Sequence, residues 1–349
     1  MKRIYSLDFL KITAAVLIVF HHFQQTFKIK FSGVNFFGGD FYFGYIVELF
    51  FILSGFFIAM NASKYEEQSF GRFMVNRALR FFPMVWITVT YHALILVLYK
   101  YIVGEELSSV GLWKYIKSMT LIFDSGIIAD TERGFNNPIW YLGVLLICYA
   151  VYWIALQISK RSDIEIAAVY LFIVLLGLGI NSYEVEIPFL NHNTTRGTIP
   201  FFTGCIVYLF CNKLKGKTLT ITSSTVLAIS IVAYVFARKA FFDDLQMILV
   251  FLIYPALTVI FYNSRIAALL FNHKIFGELG GVSFEVYVWH VPIFSTIKLL
   301  SATRIVNTPS SFFDMIIITI VVVAVAVIMY YAVEKKITEK LRVIVHPIG

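Results

Sequence analysis

Long apolar runs separated by short polar connections set the rhythm of this chain. A run near twenty residues predicts a membrane-spanning helix, because about twenty residues at about 1.5 Å rise cross a hydrocarbon core about 30 Å thick. Ten such runs lie at 8–27, 44–62, 82–102, 138–158, 164–181, 197–212, 220–237, 244–262, 282–300 and 312–333. The expected fold is all-α: a polytopic membrane protein of about ten transmembrane helices, forming a single domain over 1–349 without a soluble appendage. Residues 64–81 are basic and amphipathic, which predicts a cytoplasmic surface helix leading into the third run. Residues 103–137 contain GLWKYIKSMTLIF, an apolar and aromatic stretch expected to lie along the outer interface.

The first run breaks the pattern. It carries Asp8 and Lys11 at its start and His21-His22 near its end, where a plain anchor would carry none. Ionisable residues inside a span are costly and mark functional sites by default. Lys11 and His22 are eleven residues apart, three helical turns or roughly 16 Å along the axis, so they share a face. His21 is rotated away by about 100°. Asp8 lies one turn before Lys11 and is placed to pair with it.

Composition agrees with the membrane reading. Of 349 residues 59% are hydrophobic and 14% charged, and the mean hydropathy is +0.79, whereas soluble domains are nearer a quarter charged. The net charge of +8 is not a nucleic-acid signal here, because the basic residues sit in short connections. With the N-terminus inside, internal segments carry Lys2/Arg3, Lys64/Arg72/Arg77/Arg80, Lys160/Arg161, Lys213/Lys215/Lys217, Arg265/Lys274 and Lys335/Lys336/Lys340/Arg342. These are 17 of the 29 lysines and arginines, and the positive-inside rule then puts both termini in the cytoplasm. The start Met1-Lys2-Arg3 is read as a retained first helix rather than a signal peptide, since no small-residue cleavage site follows. Cys148, Cys205 and Cys211 lack metal-ligand spacing and predict neither a disulfide framework nor a metal site.

Several polar residues within or beside the runs are candidates for chemistry. Arg77 and Arg80, three apart on a helix, point two guanidinium forks the same way. That suits phosphate, and it equally suits lipid headgroups. A neutral imidazole at His21 or His22 can take a proton from a hydroxyl, or can serve as a buried hydrogen-bonded side chain between helices. Glu48 precedes FFILSGFF, whose Ser54-Gly55 pair reads as close helix packing. Glu285, Tyr287 and His290 stand on the ninth run, where His290 and Pro292 suggest a broken helix over a cavity. His92 is a weaker candidate. Asn136-Asn137-Pro138-Ile139-Trp140 opens the fourth run, with interfacial anchoring as its plain reading. The polar outer segment 181–196 ends on Arg196 and is placed to meet an extracytoplasmic acceptor.

In order, SLD…His22, FFILSGFF, RALRFFP, NPIW, TIPFFTG and GVSFEVYVWHVP resemble the membrane acyltransferase-3 family over almost the whole chain. The resemblance implies a multi-pass enzyme of a bacterial cell membrane that moves an acetyl group from cytoplasmic acetyl-CoA to a carbohydrate hydroxyl. Its first-helix pattern, a basic residue and then a histidine, falls on Lys11 and His22. Its arginine pair falls on Arg77 and Arg80. On this reading Arg77, Arg80 and Lys11 hold the CoA phosphates, and His22 is the general base, with Lys11 the second catalytic residue. Glu48, Trp140, Arg196 and His290 are candidates for the acceptor, and no metal is required. The family usually has arginine where Lys11 stands, and many members carry glutamates after the tryptophan, where this chain has Tyr141-Leu-Gly-Val144. That departure implies a shorter subgroup resembling glycan O-acetyltransferases. An acyl-His22 intermediate, N-acetyl or O-succinyl transfer, and a flippase for lipid-linked glycans are the alternatives. Expected partners are acetyl-CoA, carbohydrate and membrane lipid, and no nucleic acid.

Overall fold

The computed structural model describes residues 3–123, 125–127, 134–214, 216–241 and 245–345, with side chains for all of these except 236–241 and 342–345. Lys2 and Lys215 and the side chain of Arg342, used above for orientation, lie outside the described residues. In chain order the helices are α1 (Tyr5–Phe27), α2 (Ile46–Met60), α3 (Phe70–Val103), α4 (Leu112–Thr120), α5 (Trp140–Ser162), α6 (Ile166–Ser182) and α7 (His192–Lys213). There follow α8 (Lys217–Phe241), α9 (Leu245–Ile248), α10 (Tyr254–Asn263), α11 (Arg265–Phe271), α12 (Lys274–Ala302), α13 (Phe312–Met329) and α14 (Lys335–Val345). Wide π turns at Leu249–Ile253 and Tyr330–Glu334 join α9 to α10 and α13 to α14. Among the described residues the only β pairing is one isolated bridge, Ile187 with Leu190.

The chain is an all-α multi-pass membrane protein. Seven helical stretches are long and apolar enough to cross a bilayer among the described residues, and each coincides with a predicted run. The other three runs are also helical: α6 is short at 17 residues, while α7 and α12 carry more polar residues. Two expectations are corrected. The segment from Phe70 and the third run form one 34-residue helix, α3, which continues through Pro83. Likewise α12 is not broken at His290 and Pro292 but runs unbroken for 29 residues.

The chain divides into two compact units, and α1, α3, α5 and α12 contribute residues to both. The first unit comprises Met1–Ala14, Tyr45–Met74 and Val144–Gly280. Its centre is the contact of α2 with α7, where a Cβ on Gly55 would lie 1.8 Å from the Phe201 carbonyl oxygen. A Cβ on Gly204 would lie 2.0 Å from the Ile52 carbonyl oxygen. Only glycine lets two backbones approach this closely, which bears out the packing reading of Ser54-Gly55. Buried Phe201, Phe202, Tyr152 and Tyr170 fill the space around this crossing.

The second unit comprises Ala15–Gly44, Val75–Gly143 and Gly281–Gly349. Its frame is the pair α3 and α12. Phe81 packs on Phe284 (ring centroids 5.7 Å apart), Tyr91 hydrogen-bonds Thr296 (2.9 Å) and His92 hydrogen-bonds Ser295 (2.8 Å). Contacts that advance together along both helices mean the two run parallel and in fixed register. The α4 helix exposes Leu112, Trp113 and Ile116 while burying Lys114, Lys117 and Ser118. This outward apolar face suits the interfacial position expected of it.

Candidate active site

The imidazole of His22 belongs to the second unit. Its Nδ1 lies 2.9 Å from Gln25 Oε1, one turn further along α1. An amide oxygen only accepts, so Nδ1 carries the hydrogen and Nε2 keeps its lone pair. The His22 ring stacks on His290 of α12, with centroids 5.1 Å apart and planes 28° apart. His21 goes elsewhere: it is buried and its Nδ1 meets the Phe36 carbonyl oxygen at 2.8 Å. The two adjacent histidines are thus separated as helix geometry requires. His21 ties α1 to the following loop, and His22 turns to the neighbouring helix.

His290 is completely buried, and neither ring nitrogen has a hydrogen-bond partner among the described residues. The turn of α12 before it is held by the segment that opens α5. Tyr287 donates its hydroxyl hydrogen to the Pro138 carbonyl oxygen. Asn136 donates from Nδ2 to the Val288 carbonyl oxygen at 2.7 Å. This second bond has a cause four residues on. Pro292 has no N–H, so within α12 it cannot donate to the carbonyl of Val288. A carbonyl freed this way in a membrane must find another donor, and Asn136 supplies it. That is how α12 passes a proline unbroken.

Lower on the same helix pair are Arg77, half-buried, and Arg80, exposed. Phe81 and Phe284 are level, and His290 is six residues beyond Phe284. At about 1.5 Å per residue, Arg80 and Arg77 then stand about 10 and 15 Å along the axis from His290. Arg80 acts electrostatically on Glu334, whose carboxyl meets that of Glu285. Trp289 Nε1 donates to the other side of Glu285 at 2.9 Å. Trp140 opens α5 two residues beyond Pro138 and is half-buried.

Three of the expected site residues lie in the first unit. Lys11 is ion-paired with Asp8 (2.7 Å), as its spacing predicts, and its ammonium lies 4.5 Å from the Phe57 ring centroid. Asp8 also takes Arg3 at 2.5 Å. Glu48 and Arg196, 148 residues apart, form a buried ion pair at 2.7 Å. Gln246 donates to the same Glu48 oxygen at 2.8 Å. Glu48 is 0% exposed, and its Oε2 has no hydrogen-bond partner among the described residues.

The structure therefore joins His22 to His290 and Glu48 to Arg196. It also brings in residues the sequence reading passed over: Gln25, Gln246, Glu334, and Asn136 and Asn137 as more than interfacial anchors. Gln25 had a signal, a polar residue one turn from a histidine on an apolar helix. Gln246 and Glu334 had none, because their partners are remote in sequence. Among the described residues no group of three His, Cys, Asp or Glu side chains could hold a metal ion.

No curated protein and no solved structure matches the sequence. A family model does: the acyltransferase domain of the acyltransferase-3 family spans residues 4–331. The histidine pair of α1 and α12 and the arginines of α3 thus occur within a match covering nearly the whole chain, and the protein belongs to the acyltransferase-3 family of membrane acyltransferases.

Proposed function

We propose that this protein transfers an acetyl group from cytoplasmic acetyl-CoA to a carbohydrate hydroxyl, with His22 as general base. The observation that carries the reading is the parallel register of α3 and α12. It places two arginines about 10–15 Å along the helix axis from His290, which stacks on the half-buried His22. A donor with phosphates at one end, a long flexible arm and a thioester at the other matches that spacing. The residues fit such a donor: Arg77 and Arg80 would take phosphate oxygens through their planar forks, and His22 would sit beside the thioester.

In the reaction, the lone pair on His22 Nε2 accepts the proton of the acceptor hydroxyl as its oxygen attacks the thioester carbonyl. The new C–O bond forms, the C–S bond breaks, and the proton passes from His22 to the departing CoA thiolate. Gln25 serves as a positioning residue by keeping hydrogen on Nδ1. Holding donor and acceptor together in dry surroundings supplies the rest of the rate. Lys11 is already engaged by Asp8, and on this reading its main effect is to order the start of α1. The Glu48–Arg196 ion pair is a polar centre of the first unit.

Release of CoA thiol by purified protein in nanodiscs, with glycan supplied, tests the reading. His22→Ala should lower the rate by roughly 10²–10⁴-fold, the usual worth of a general base. Arg77→Ala or Arg80→Ala should weaken acetyl-CoA binding about 10–100-fold, the worth of a charged hydrogen bond at about 1.5–3 kcal/mol. Near-normal transfer by the His22→Ala protein would refute it.

A further inference from the structure

Beside His22 the second unit gathers buried polar atoms without a hydrogen bond of ordinary geometry among the described residues. Asn136 is 0% exposed and its Oδ1 has no hydrogen-bond partner among the described residues. The same holds for Oδ1 of Asn137 and for both ring nitrogens of His290. Buried polar atoms in native proteins are nearly always paired, so four orphans on neighbouring segments need an explanation. They are neighbours by construction, since Asn136 and Pro138 are both bonded to the turn of α12 that ends at His290. The Tyr287 ring is 5.9 Å from that of His290, which in turn stacks on His22.

The orientation of Asn136 is not arbitrary. The proline-freed carbonyl of Val288 claims its Nδ2, which forces Oδ1 to the opposite side. The amide is therefore presented as an acceptor. With one lone pair on a neutral His290 and the oxygen of Asn137, the cluster offers three acceptors beside two kinds of donor, the His290 N–H and the Asn137 amide hydrogens. Carboxylates and phosphates, which only accept, would leave those three acceptors unpaired. Hydroxyl groups, which both donate and accept, are well matched.

We infer that Asn136, Asn137 and His290 form a subsite for the hydroxyls flanking the one that is acylated, so that the preferred acceptor carries a vicinal diol. This rests on the acyl-transfer reading above and specifies its acceptor. One hydroxyl would give its proton to His22 Nε2, while its neighbours donate to the asparagine oxygens and take the His290 hydrogen. The site would then recognise a sugar ring by its hydroxyl pattern rather than by charge.

The test uses the intact protein in nanodiscs, acetyl-CoA, and methyl glucoside, galactoside and mannoside as small acceptors, each with its monodeoxy analogues. For the best parent acceptor, removing the correct neighbouring hydroxyl should raise KM about 3–10-fold, the worth of one neutral hydrogen bond. Asn137→Ala should raise KM of the parent by a similar factor, leave the KM for acetyl-CoA unchanged and no longer discriminate the deoxy analogue. Because Asn136 also supports α12, His290→Gln is the second variant, expected to lose discrimination at a different hydroxyl. Equal KM values for parent and deoxy acceptors, or no transfer to any of the three glycosides, would overturn the inference. So would variants that alter only thermal unfolding, meaning the cluster holds structural water only. Transfer to polysaccharide that depends on His22 would keep the broader reading standing in each of those cases.

Discussion

Replacing Asn136 with leucine, which keeps the volume and removes the donor, isolates the bond that lets α12 pass Pro292. The Val288 carbonyl then has neither the helix N–H that Pro292 lacks nor the 2.7 Å bond from Asn136 Nδ2. Leaving a buried carbonyl unpaired costs about 1–3 kcal/mol, and an interhelical hydrogen bond in a membrane is worth about 0.6–2 kcal/mol. A loss of about 1–2 kcal/mol is therefore expected. The same arithmetic predicts a rescue. An alanine at position 292 regains an N–H four residues beyond Val288, so Asn136→Leu should cost little when combined with Pro292→Ala. The coupling energy of the cycle should be about 1–2 kcal/mol, well above the roughly 0.3–0.5 kcal/mol within which independent sites add. Reversible SDS unfolding of the four proteins in mixed micelles, followed by far-UV circular dichroism, measures it. Additive effects within that error would refute the explanation of how α12 tolerates its proline.

Three further outcomes follow from single contacts. Gln25→Leu should reduce turnover about 5–10-fold, one hydrogen bond's worth, with KM for acetyl-CoA unchanged; Gln25→Glu, which still offers an oxygen to Nδ1–H, should retain most activity in the same CoA-release assay. Glu48→Ala removes the carboxylate that pairs with the half-buried Arg196 guanidinium and should destabilise by about 3–5 kcal/mol; adding Arg196→Met should recover much of that on an SDS titration, and no recovery would mean the pair is not the source. Gly204→Ala forces a methyl to within 2.0 Å of the Ile52 carbonyl oxygen and should cost at least the 1–3 kcal/mol typical of overpacking; an unchanged unfolding midpoint would contradict the close α2–α7 crossing.

Much of the architecture is local and was legible. Each predicted run is helical because twenty apolar residues leave the backbone no partner in lipid but itself. The pairing of Asp8 with Lys11 and the separation of His21 from His22 follow from residues three apart and one apart on a helix. The glycine at Gly55 read correctly as a packing residue, since small residues let helices approach. Proline misled the reading. His290 with Pro292 suggests a broken helix, yet α12 runs through that proline as α3 runs through Pro83. A proline's cost depends on whether a distant group satisfies the carbonyl it frees.

The sequence by itself determined the class of molecule, the positions of its helices and the face of α1 that carries His22. Those depend on composition and on the 3.6-residue period, which act within one segment. Only the tertiary structure decided which polar groups meet: His22 with His290 across 268 positions, Glu48 with Arg196, Glu285 with Glu334, and Asn136 with the Val288 carbonyl. These pairings depend on helix register and on the strict need to satisfy buried polar atoms. Neither is written in the spacing of residues along one helix.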